Sequence, residues 1–261
     1  MLATPATLHK FISFGYRCSS AGILKEMGLK HESLPFDWLV SRLPVIAHCI
    51  DGGDSFCEFM KPINYVERHT NTFARPYNTE KFICDEYILA NKYYQPAATQ
   101  DSTTTYHYNL AMNHYNITDD REYYERCIER WHTIVASPTP LQITYLHISP
   151  VQCLTDFNLN TIFNEINNLN NVLQSYIQEN LNLKFSGLIF LMVDDEENNT
   201  ETTFEEITLQ NNLITPSTPA NTQIYKICVN KDFIDAGEIF MGNCNREFDI
   251  IKAIIREHTM R

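Results

Sequence analysis

At 261 residues and 44% hydrophobic composition, the chain is long enough to bury one substantial core, and a single domain over 1–261 is expected. A formal net charge of −12 argues against a protein that grips a phosphate backbone, which needs clustered Lys and Arg, so nucleic acid is not an expected partner. No run approaches the roughly 20 apolar residues that span a bilayer, and "MLATPATLHKF" lacks the regions of a secretory signal, so a cytoplasmic protein with no membrane partner is expected.

Residues 11–16 predict a buried strand and "SSAGILKEMGLK" a short helix, with Ser19 or Ser20 as cap and Ile23, Leu24 and Met27 facing the core. "LVSRLPVIAHCIDGG" has helical spacing and ends in a glycine pair. Residues 62–116 are rich in Tyr, Asn and Thr, with strand-like pieces at 82–90 and 106–114, and read as an insertion or a lid. Thr118 is the expected cap of a helix whose apolar stripe runs through Tyr124, Cys127, Ile128, Trp131 and Val135. A strand at 141–148, a long helix opened by Asn158, and a nearly continuous apolar strand at 186–193 follow. Residues 194–222 read as an acidic loop, 223–229 as a strand and 245–258 as a final amphipathic helix. This alternation predicts a mainly parallel open sheet with helices on both faces, a three-layer α/β fold.

Eight cysteines (18, 49, 57, 84, 127, 153, 228, 244) are spread along the chain without a C-x-x-C pair, so reduced thiols and no Cys-type zinc site are expected. Among them Cys18 stands out. In an open parallel sheet, ligands sit at the carboxyl ends of strands and the amino ends of helices. A thiol there feels the positive end of the helix dipole and unpaired backbone N–H groups, and Arg17 adds a cation, all of which favour thiolate, while Gly15 permits the tight strand-to-helix turn. Ser19 and Ser20 would offer backbone N–H groups to an oxyanion. The plainer alternative is that Cys18 is one small buried residue among eight.

The strand, Gly15-x-x-Cys18, the short helix and "LPFDW" resemble the opening of a family of unknown function described as papain-like cysteine peptidases. The resemblance continues through Phe56 and Phe59 as "F-x-x-F", through His114 at the end of "YHYNLAMNH", and through "YERCIERW" with Tyr124, Arg126, Ile128, Arg130 and Trp131. It covers about residues 10–195, with Tyr115 and Cys127 departing from the family pattern. A papain-like α+β fold is the alternative that this name implies.

The implied function is that of an enzyme, a cysteine-dependent hydrolase or acyltransferase acting on a peptide, amide or ester without a cofactor. In that reading His114 takes the proton from Cys18, and a carboxylate, Asp37 first and Asp195 second, orients the imidazole. Asp37 could equally cap a helix before "WLVSRL". His107 is the rival to His114, because the two fall on opposite faces of a regular strand. Arg17, Ser19, Trp38, Arg126 and Arg130 are the substrate-binding candidates. For Arg126 and Arg130, surface pairing with Glu122 and Glu129 is the plainer account. Two other classes stay open. Asp194, Asp195, Glu196 and Glu197 could hold a divalent cation in a glycosyltransferase, although an acidic solvated loop accounts for them too, and the chain could be a non-catalytic α/β binding module. Oligomeric state is left open by the sequence.

Overall fold

The computed structural model describes residues 7–15, 18–51, 56–74, 82–94, 109–112, 116–151, 159–194, 203–206, 222–229 and 245–260. The strands are β1 (Leu8–Ser13), β2 (Leu39–Ser41), β3 (Tyr65–Ala74), β4 (Phe82–Asn91), β5 (Leu110–Met112), β6 (Leu141–Val151), β7 (Leu183–Asp194), β8 (Thr203–Glu206) and β9 (Thr222–Val229). The helices are α1 (Ser19–Glu26), α2 (Leu43–Ile50), α3 (Arg121–Val135), α4 (Leu159–Glu179) and α5 (Asn245–Thr259).

One sheet has the order β1-β6-β7-β9-β8, parallel throughout except for β8. Alternate residues of its strands face opposite layers. Leu146, Ile148, Leu188, Phe190, Met192 and Ile227 pack with α1 and α5 through Ile23, Leu24, Phe248, Ile251 and Ile255. Ile143, Tyr145, Ile189, Leu191 and Val193 pack with α2, α3 and α4. The chain is therefore a three-layer α/β structure with a mainly parallel sheet, as its apolar runs predict. At Gly187 an added Cβ would run into the ring of Tyr145, which lies across β7 to reach Asn170 Oδ1 at 3.1 Å.

A second, antiparallel sheet has the order β2-β5-β4-β3. It overturns part of the sequence reading. Residues 39–41, expected to begin a helix, form β2 against β5, because Pro44 fits only the first turn of a helix and α2 therefore opens at Leu43. β3 was not expected at all; its ten residues pair only with β4, and an edge strand needs no apolar alternation to form. Likewise β8 lies inside the stretch read as an acidic loop. The N-cap of α3 is Asp120, not Thr118, and its Oδ2 accepts the N–H of Asn116 at 2.8 Å. Among the described residues, no helix is long and apolar enough to cross a membrane.

Candidate functional site

β1 ends at Ser13, and four residues beyond Phe14 the half-buried thiol of Cys18 occupies the N-cap of α1. Among the described residues, Phe14 and Gly15 at the end of β1 are held by hydrogen bonds. Ser41 Oγ donates to the Gly15 carbonyl at 2.6 Å, Gly15 N–H donates to Ser13 Oγ at 3.2 Å, and His147 Nδ1 bonds the Phe14 carbonyl. The last pairing fixes the imidazole: a carbonyl only accepts, so Nδ1 carries the proton and Nε2 is left as an acceptor. Burial pushes the His147 pKa down to about 4, helped by the charge of Arg42 and opposed by the Phe14 bond. The ring is neutral at pH 7. Burial raises the Glu165 pKa on α4 and the Arg42 charge opposes it, so the charge of Arg42 acts on both groups.

His147, Ser41, Arg42 and Glu165 carry no motif in the sequence. The available signal was weak. In "LQITYLHI" the alternation puts His147 on the same face as Tyr145, and a histidine inside an apolar strand demands a polar partner.

The residues expected at the site separate into groups. Cys18 and Ser19 lie at the carboxyl end of β1, as the Gly15 turn suggests. Asp37 is 1% exposed, and its Oδ2 accepts from Lys30 Nζ at 2.6 Å and from Leu34 N–H at 2.7 Å. Burial pushes its pKa up to about 6, outweighing the Lys30 attraction. Asp37 caps no helix, since β2 follows; it closes the 34–37 turn. Trp38 is half-buried, with Lys30 Nζ 6.0 Å from its ring centroid. Arg126 is exposed and pairs with Glu122 at 3.7 Å, the plainer expectation. Arg130 instead donates to the Ser33 carbonyl at 3.0 Å, tying α3 to the 30–38 loop. Arg17, His107, His114, Asp195, Glu196 and Glu197 lie outside the described residues, as does the side chain of Asp194.

The remaining motif residues form one aromatic body. Phe36 of "LPFDW" has its ring centroid 5.7 Å from Phe56, 6.3 Å from Phe59 and 5.9 Å from Phe14. Phe59 meets Tyr124 at 5.3 Å, and Phe14 meets Trp131 at 5.7 Å. What the motifs bring together is the packing beneath β1.

The family model described as "Putative papain-like cysteine peptidase (DUF1796)" matches residues 9–196. The chain belongs to this family. A curated relative, "Uncharacterized protein R408" of Acanthamoeba polyphaga mimivirus, is 35% identical over 125 residues, which is 43% of this chain and 54% of the relative. The match thus spans about half the length of that relative, whose name gives no activity. No solved structure matches. Membership in this papain-like peptidase family supports a cysteine-hydrolase kind of protein, here on a mainly parallel α/β frame.

Proposed function

We propose that this protein is a cysteine-dependent hydrolase or acyltransferase of peptide, amide or ester bonds, with Cys18 as nucleophile. The observation that carries the reading is the half-buried thiol at the N-cap of α1, at the carboxyl end of β1. Unpaired first-turn N–H groups and the helix dipole stabilise negative charge there, so the thiolate is favoured over the thiol.

His114 is the proposed base. It takes the proton from Cys18, the sulfur attacks the carbonyl carbon, and the tetrahedral oxyanion collapses with expulsion of the amine or alcohol, which receives that proton. Water then cleaves the thioester in a hydrolase; a second acceptor does so in an acyltransferase. Asp37, whose Oδ2 already accepts from Lys30 and Leu34, has Oδ1 left to orient His114, and Asp195 is the second candidate. The proposed setting is the cytoplasm, away from membranes and nucleic acid.

Limited iodoacetamide at neutral pH, read by peptide mass spectrometry, tests the nucleophile. Cys57 is exposed and Cys18 half-buried, so accessibility alone would label Cys57 first. Labelling of Cys18 ahead of Cys57, with loss of hydrolysis of activated esters in Cys18→Ala, is the expected outcome. Slower labelling of Cys18, with an apparent pKa of about 8.5 or above, would refute it.

A further inference from the structure

Ser19 and Ser20 form the first turn of α1. Ser19 is 5% exposed and Ser20 is fully buried, and neither Oγ has a hydrogen-bond partner. A helical serine ordinarily satisfies itself on the carbonyl four residues back. For Ser19 that carbonyl belongs to Gly15, which accepts from Ser41 Oγ at 2.6 Å and not from Ser19 Oγ. The Cα–Cβ bonds of a helix tilt toward its N-terminus, which leans both serine side chains toward the end of α1 that carries Cys18.

The backbone adds donors at the same place. Gly22 N–H bonds the Cys18 carbonyl at 2.7 Å, while the N–H groups of Ser19, Ser20 and Ala21 have no acceptor within the helix. No side chain caps the helix, and no acidic residue stands in its first turn. Two unsatisfied buried hydroxyls and three amides without an intrahelical acceptor thus lie together at one helix end. Cys18, at the N-cap of the same end, is half-buried and so partly open to solvent.

We propose that the first turn of α1 is a binding site for a tetrahedral oxygen anion of the phosphate class, a phosphate monoester or free phosphate. The amides of Ser19, Ser20 and Ala21 and the hydroxyls of Ser19 and Ser20 are its donors. A tetrahedral anion has enough oxygens to accept from all of them, which a single carbonyl has not, and the helix dipole adds to the attraction. The site does not depend on Cys18 acting as a nucleophile.

The test uses the full chain and inorganic phosphate, titrated calorimetrically at constant ionic strength with chloride as the control. Saturable binding is expected, together with slower iodoacetamide labelling of Cys18 and unchanged labelling of Cys57. The Ser19→Ala/Ser20→Ala double variant should bind phosphate at least roughly tenfold more weakly while keeping its melting temperature at or above that of the parent, because it deletes two unsatisfied buried groups. No saturable binding, equal binding by the double variant, or a lowered melting temperature in that variant would each overturn the proposal. Cys18→Ala should still bind phosphate. An unreactive Cys18 in a chain that binds phosphate would count against acyl transfer alone, and a reactive Cys18 in a chain that does not bind would count against the anion site alone.

Discussion

The aromatic body beneath β1 and the first turn of α1 are adjacent in the fold and opposite in character. Phe14, Phe36, Phe59, Tyr124 and Trp131 are each no more than 2% exposed, and their rings meet edge to face or tilted, an arrangement that adds to the burial of the rings themselves. Ser19 and Ser20 are buried too, yet their hydroxyls are unsatisfied. Burial stabilises the first region and costs free energy in the second. A fold tolerates such a cost where a bound group can offset it, so the aromatic motif residues mark packing, while the cost marks the place to look for a ligand.

The largest effect that would break this contrast lies in the aromatic body. Phe36→Ala should destabilise the protein by about 3–5 kcal/mol, as large-to-small changes at buried aromatic positions do. Chemical denaturation would measure it. A loss of less than about 1 kcal/mol would mean that the ring is not part of a packed core.

A smaller effect comes from two buried ionisable groups with opposite pH dependence. His147 is depressed to about 4 from an ordinary 6.5. Between pH 6.5 and 4 the unfolded chain takes up a proton that the folded ring refuses, so this contribution is complete above pH 6.5 and is lost on acidification, about 3 kcal/mol in all. Asp37 is raised to about 6 from 3.8. Its contribution is complete below pH 3.8 and is lost as pH rises through 6. The two oppose each other between pH 4 and 6, where the parent's stability should vary less with pH than that of either single variant. Asp37→Asn should uncover the acid-side loss of His147, and His147→Asn should leave stability rising as pH falls. Urea unfolding across pH 4–8 would show both slopes; a level profile in Asp37→Asn would refute the assignment of His147 as a buried neutral ring.

The parts of the fold that were legible in the sequence are those written in period. The apolar runs of β6 and β7 and the stripe of α3 need a sheet and a helix face to bury them, and the parallel order follows from their alternation. β3 was not legible because Glu67, Arg68 and Thr70 give no apolar face, and its pairing is decided by β4. β2 was hidden by apolar residues that continue without a break into α2. The place of Cys18 at the start of α1 was legible because a glycine turn between a strand and a helix has a local signature. The Lys30–Asp37 pair was not, since it joins two residues of an irregular loop. The bond from His147 to the Phe14 carbonyl joins residues 133 apart, and no local pattern encodes it.

Phe56 has a φ of 65°, the one positive value among described non-glycine residues. A bulky side chain in that conformation costs about 1–3 kcal/mol, which its surroundings must hold in place. Here the constraints are the Phe56 N–H on the Cys49 carbonyl at 3.0 Å and ring contacts with Phe36, Phe59 and His132. The turn over residues 56–60 is thus a loaded catch: it has backbone energy to release on opening, which lowers the cost of a local excursion relative to the helices beside it. The Met60 amide, bonded to the Phe56 carbonyl at 2.8 Å, should exchange with solvent hydrogen sooner than the amides of α3, and the side of the aromatic body facing this turn is where the core first meets water.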